Sequence, residues 1–207
     1  MRDFVYLDLT RNRGWPWPDE NFGLTPLFGK GGWCETCGVP QVMQQGDMVM
    51  QARGLSDIRG AWMPNWLFDV FCCDEGLAEQ IETRFGLASR PIVTPRGKYL
   101  KARQVLIPVS SANWYCAEQL TERLNQQHGK AGDQCHTCGK WRYLPLANEL
   151  LPRPDIDGQP ANSAAIASPE WFGDGMKSFR NLLFTRPLAE LILSVSKADF
   201  KLVELPG

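Results

Sequence analysis

The sequence predicts an α+β fold with a mixed sheet and about three helices. Short apolar segments of strand length alternate along the chain with segments whose apolar residues recur at helical spacing. The chain ends in a predicted β-α-β unit. Two identical cysteine pairs, far apart in sequence, predict a metal site that joins distant parts of the fold.

The N-terminal part combines one clear strand with less regular segments. Residues 3–9 alternate in the manner of a strand, and a Pro- and Gly-rich loop is predicted from Arg11 to Gly32. Short strands are predicted around residues 49–52 and 66–70. The first helix is predicted near residues 75–85.

That first helix carries the expected boundary signals. Asp74 is a predicted N-cap, since its side chain can accept a hydrogen bond from the first turn. Leu77, Ile81 and Phe85 recur four residues apart and form an apolar face. Gly86 then supplies the left-handed residue that commonly ends a helix.

The middle of the chain predicts two strands and a second helix. The strands are expected at residues 92–93 and 105–107, and the helix from about 112 to 127, where Gly129 ends it. Residues 145–170 are rich in Pro, Asn, Ser and Ala, which predicts an irregular connection.

The C-terminal segment predicts strand, helix and strand in turn. A strand over residues 179–184 is followed by Thr185 as a predicted N-cap. The third helix, near residues 187–196, begins with a proline in its first turn, where a missing N–H costs little. A strand over residues 200–205 follows. Residues 1–207 therefore predict a single domain, in which 170–207 could form a C-terminal subdomain.

Composition excludes a disordered or strongly charged chain. Hydrophobic residues make up 43%, charged residues 22%, and the formal net charge is −1. These values disfavour nucleic acid as a partner bound through bulk charge. One local basic stretch stands out, formed by Arg90, Arg96, Lys98, Lys101 and Arg103, and a solvated strand face is its simplest interpretation.

The sequence predicts a cytoplasmic protein without a membrane partner. Asp3 and Asp8 fall where a secretory signal would be apolar. No stretch reaches the roughly 18 uninterrupted apolar residues typical of a membrane-spanning helix.

Four of the seven cysteines form two copies of the pattern Cys-x-Thr-Cys-Gly. We call residues 34–38 knuckle 1 and residues 135–139 knuckle 2. Two residues between cysteines let a tight turn direct both sulfurs at one ion, and two knuckles supply four thiolates. Thiolates favour zinc over hard cations. The expected ligands of a structural Zn²⁺ are Cys34, Cys37, Cys135 and Cys138.

Other interpretations of the cysteines stay open. Two redox Cys-x-x-Cys motifs, or four unrelated thiols, are compatible with the count. A compact zinc ribbon has roughly 15–20 residues between its cysteine pairs, whereas positions 38 to 134 intervene here. Cys72, Cys73 and Cys116 are expected to pack in the core as small apolar side chains.

The two knuckles and the N-terminal strand resemble the bacterial double-CXXCG motif family, whose members include myxobacterial paralogues and SitI-type immunity proteins. The segment Trp171–Gly175, followed by strand, helix and strand, is also similar to the ending of related immunity-like proteins. The resemblance implies zinc bound by the four knuckle cysteines. It further implies a non-enzymatic protein that binds and neutralises a cognate bacterial toxin.

Two other function classes remain. One is a zinc-ribbon protein that binds nucleic acid, and the other is an enzyme with a structural zinc, using Asp155, Asp157 or Asp174. Self-association into a homo-oligomer is also compatible with the sequence. If the protein binds a toxin, aromatic residues in irregular segments are the expected anchors, namely Trp15, Trp17, Trp171 and Phe172.

Overall fold

The computed structural model describes residues 3–11, 16–51, 59–156 and 163–206. It has the predicted α+β class, with mixed sheets and four α-helices in the described residues instead of about three. The helices are α1 (Leu24–Phe28), α2 (Glu75–Phe85), α3 (Ala117–His128) and α4 (Arg186–Ser196). The strands are β1 (Phe4–Leu9), β2 (Met48–Val49), β3 (Ala61–Trp62), β4 (Phe71–Asp74), β5 (Ser89–Val93), β6 (Tyr99–Val105), β7 (Gly132–Gln134), β8 (Trp141–Tyr143), β9 (Ala165–Ala167), β10 (Phe172–Asp174), β11 (Lys177–Phe179), β12 (Leu182–Thr185) and β13 (Phe200–Glu204).

The strands of the described residues form three sheets, and the first is built around β1. Its order is β13-β1-β12-β9, with β1 antiparallel to both of its neighbours. The predicted β-α-β unit is therefore present as β12-α4-β13, with the N-terminal strand inserted between its two strands. None of the helices in the described residues is long and apolar enough to cross a membrane.

Both faces of β1 are buried, because the sheet separates two apolar cores. Val5 and Leu7 belong to the core beneath α2 and α4, whereas Phe4 and Tyr6 face a second core that includes Trp114. The Tyr6 hydroxyl lies 3.0 Å from the Tyr115 hydroxyl in that second core. Burial raises the pKa of both phenols, so each stays protonated and available to donate.

The second sheet has the order β2-β5-β6-β4-β3 and covers a third core. The third sheet, β11-β10-β8-β7, carries knuckle 2 between β7 and β8. Knuckle 1 lies between α1 and β2, so it precedes the strands of the second sheet. The two cysteine pairs thus come from different parts of the fold.

The predicted caps of α2 are confirmed. An Asp74 carboxylate oxygen accepts a hydrogen bond from the Leu77 amide at 2.9 Å, and Gly86 has the left-handed φ of 68°. At α4, Pro187 lies in the first turn as predicted, but Thr185 makes no capping hydrogen bond through its side chain.

Two expectations for the N-terminal half are wrong. The segment 66–70 is not a strand, because Trp66 has a φ of 76° and the Leu67 and Val70 amides form turns; the strand is β4. The loop predicted from Arg11 to Gly32 contains α1, whose five residues are too few to show a helical period. The strand expected at 49–52 reduces to β2, and Ala52 lies outside the described residues.

Further along the chain the element boundaries shift. The second helix begins at Ala117 and not near 112, because the amides of Trp114 and Tyr115 donate to the Glu170 carboxylate. β5 and β6 extend beyond the predicted 92–93 and 105–107. The connection 145–170 contains β9, and the predicted strand 179–184 divides into β11 and β12.

The two helix N-caps predict different costs of substitution. Asp74→Ala should lower the free energy of unfolding by about 2 kcal/mol, because the carboxylate accepts from the amides of both Leu77 and Gly60. Thr185→Ala is the matched control and should cost less than about 0.5 kcal/mol. Urea unfolding of both variants measures the difference, and equal costs would contradict this assignment of the caps.

Candidate metal centre

The two knuckles have the same backbone fold. In knuckle 1 the Cys34 amide donates to the Val39 carbonyl at 2.9 Å, and the Gly38 amide donates to the Cys34 carbonyl at 2.7 Å. Knuckle 2 repeats both hydrogen bonds, from Cys135 to Lys140 at 2.9 Å and from Gly139 to Cys135 at 2.8 Å. The repeated sequence therefore encodes a repeated turn.

Glycine is required at the end of each turn by backbone conformation. Gly38 and Gly139 have φ values of 76° and 71°, in the left-handed region that side chains disfavour. Gly38 has a second constraint. A Cβ at this position would lie 2.2 Å from the Met176 carbonyl oxygen, whereas a Cβ at Gly139 would contact nothing within 4 Å.

The knuckles face each other so that equivalent atoms meet. The Sγ atoms of Cys34 and Cys135 are 3.8 Å apart, and those of Cys37 and Cys138 are 3.6 Å apart. The hydroxyls of Thr36 and Thr137 lie 2.8 Å apart at the exposed edge. Each of these pairs joins equivalent residues of the two knuckles, 101 positions apart in sequence.

All four predicted ligands are brought together. Their sulfurs lie within 4.8 Å of one another. Within the described ranges, they form the one group of three or more His, Cys, Asp or Glu side chains that could hold a metal ion. Four sulfurs placed tetrahedrally around zinc at about 2.3 Å lie about 3.8 Å apart. The two closest pairs match this spacing, and both are too long for an S–S bond of about 2 Å.

The backbone prepares one of the thiols to lose its proton. The amides of Cys138 and then Thr137 point at the Cys135 sulfur and lower the pKa of that thiol to about 6. Burial instead raises the pKa of the Cys37 and Cys138 thiols. A cation at the centre would stabilise the thiolate form of all four cysteines, including the two whose burial disfavours ionisation.

Knuckle 1 is fixed to the third sheet through one carbonyl group. The Cys37 carbonyl accepts from the Ser178 hydroxyl at 2.5 Å and from the Arg142 guanidinium at 3.3 Å. Arg142 lies on β8, directly after knuckle 2, and also donates to the Gly175 carbonyl at 2.7 Å. Sequence reasoning missed Ser178 and Arg142, since neither belongs to a motif.

The remaining cysteines divide into two groups. Cys72 and Cys73 are fully buried on β4, as predicted, and burial raises the pKa of both thiols, that of Cys73 to about 12. The core position predicted for Cys116 is wrong. Cys116 is exposed at the N-cap of α3, where its thiol donates to the Glu118 carboxylate at 3.1 Å.

The histidine within knuckle 2 and the described aspartates that the sequence offered for an enzyme do not join the cysteine group. His136 is exposed within knuckle 2, and Asp174 is exposed at the end of β10. Asp155 also lies outside this group. The alternative candidates Asp157 and Trp15 lie outside the described residues.

The candidate anchors also differ from expectation. Phe172 is only 1% exposed and packs in the second core, so its prediction as an exposed anchor is wrong. Trp171 is half-buried against the cysteine group, with the Arg180 guanidinium 4.0 Å from the centre of its ring. Trp17 is half-buried near the Phe22 ring.

Comparison of the chain with family models, with curated proteins and with solved structures finds no match. The chemistry of the site therefore rests on its own geometry: four closely spaced cysteine sulfurs that could hold a metal ion.

The unequal surroundings of the two knuckle glycines give a direct test. Gly139→Ala should destabilise the protein by about 1 kcal/mol, the cost of a left-handed alanine. Gly38→Ala has the same left-handed strain and also displaces the Met176 carbonyl, so it should destabilise the protein by about 3 kcal/mol or more. Thermal unfolding of both variants measures this, and equal losses would contradict the packing of knuckle 1 against the third sheet.

Proposed function

We propose that the four knuckle cysteines hold one structural zinc ion. Four thiolates complete a tetrahedral shell, and a Cys₄ set is the donor chemistry that zinc commonly takes in such sites. The 3.6 and 3.8 Å sulfur separations support this assignment. A shell closed by four protein ligands leaves no position for a substrate or a reactive water, which favours a structural role.

The zinc proposal predicts one zinc per chain and a large cost for losing any ligand. Cys37→Ser should abolish stoichiometric zinc and lower the free energy of unfolding by several kcal/mol. Cys116→Ser is the control, since that thiol is exposed and away from the centre. Elemental analysis and thermal unfolding measure both effects, and a wild-type protein without zinc would refute the proposal.

The protein that we propose around this zinc is an immunity protein, which binds and neutralises a cognate bacterial toxin without catalysis. One observation carries the proposal: the duplicated Cys-x-Thr-Cys-Gly pattern, on which the resemblance to the double-CXXCG family depends, forms a single paired site. Zinc thiolates of this kind persist in a reducing compartment, which favours the cytoplasm.

A neutralising protein must present a stable surface to its partner, and the fold supports this requirement. Three sheets and three larger cores hold the surface segments in place around the cysteine group. Binding then loses little conformational entropy, which is the general advantage of a preorganised surface. The proposed zinc ion, bound by knuckles 1 and 2 together, contributes to that rigidity.

Co-expression with the product of an adjacent toxin gene tests the immunity proposal. Cells that carry the toxin should survive when this chain is present, and the purified proteins should form a stable complex. Cys116→Ser should protect as well as the wild type, whereas Cys37→Ser should protect less because its fold is weakened. Failure of the well-folded wild type to bind or protect would refute the proposal.

A further inference from the structure

The turn between β5 and β6 presents positive charge and an aromatic ring to solvent. We call four exposed side chains of this turn and of the first residues of β6 the hairpin tip: Arg96, Lys98, Tyr99 and Lys101. Tyr99 is 71% exposed, a large value for a residue with so much apolar surface. Tyrosine and arginine are enriched among residues that dominate binding energy at protein interfaces.

The hairpin tip is held in one conformation. The Thr94 amide donates to the Lys98 carbonyl at 2.9 Å, and the Gly97 amide donates to the Thr94 carbonyl at 2.8 Å. The buried Thr94 hydroxyl accepts from the Lys98 amide at 3.1 Å, and Gly97 supplies the left-handed φ of 73°. A partner that docks here would therefore order little backbone.

The cations of the hairpin divide into structural and unpaired groups. At the base, Arg90 donates to the Gly46 carbonyl, and Arg103 donates to the hydroxyl and the carbonyl of Ser89. The cations of the hairpin tip form no ion pair with the described carboxylates. The fold therefore uses the basic residues at the base and leaves those at the tip free.

We propose that the hairpin tip docks onto an acidic surface of a protein partner. The inference rests on the proposed function, since we take that partner to be the toxin. Positive charge on a rigid projection favours a complementary acidic surface, and an exposed tyrosine can pack at the centre of the contact.

The surroundings of the hairpin tip favour an acidic protein over nucleic acid. α2 packs against β6, and Asp74, just before α2, pairs with Ala102 in the sheet. The first two turns of α2 expose Glu75 and Glu79. These carboxylates lie on the helix that packs against β6 and disfavour an extended phosphate backbone along this side of the hairpin, and the formal net charge of −1 adds no long-range attraction for nucleic acid.

Charge reversal at the hairpin tip tests the proposal. The zinc-loaded protein is titrated with the toxin encoded by the adjacent gene, at about 0.15 M salt. Lys98→Glu combined with Lys101→Glu should raise Kd by about 100-fold, and Tyr99→Ala should raise it by about tenfold or more. The control combines Lys30→Glu with Lys197→Glu, which makes the same change in net charge at exposed lysines elsewhere and should change Kd by less than about threefold.

The outcomes separate this inference from the function on which it rests. If the wild type binds the toxin and the tip variants bind equally well, the docking surface is wrong and the immunity proposal stands. If the folded wild type does not bind the toxin, both are wrong. If the wild type retains DNA or RNA at about 0.15 M salt and the double reversal abolishes this, the tip is a nucleic-acid site and the inference is overturned.

Discussion

The paired knuckles bring together segments that are 101 residues apart in sequence, and the structure places four sulfurs where one cation can hold both segments. A cross-link that closes a loop of about 100 residues removes roughly 4 to 5 kcal/mol of conformational freedom from the unfolded chain. The wide spacing that distinguishes this chain from a compact zinc ribbon is therefore the source of the stabilisation that we propose for the metal.

The pairing of the knuckles also depends on groups outside the four cysteines. Ser178 and Arg142 hold the Cys37 carbonyl, and the close approach of Gly38 to Met176 leaves no room for a side chain. Hydrogen bonds thereby fix the rim of knuckle 1 to the third sheet, and the proposed metal would add a second link at its centre. These hydrogen bonds can orient knuckle 1 for a cation before the cation is bound.

The sequence predicted the parts of this structure that local chemistry determines. The cap residues of α2 and the repeated knuckles follow from short patterns with a clear physical reason, and the cysteine group followed from the repetition. What it missed depends on tertiary contacts. The Glu170 carboxylate accepts hydrogen bonds from the Trp114 and Tyr115 amides, so α3 begins later in the sequence than predicted. Cys116 is consequently exposed at the helix cap instead of buried.

X-ray absorption at the zinc edge of the purified protein tests the proposed centre most directly. Four sulfur neighbours at about 2.3 Å, with no nitrogen or oxygen in the first shell, are the expected result. A shell that includes water or another light ligand would contradict a closed structural site and favour a catalytic one.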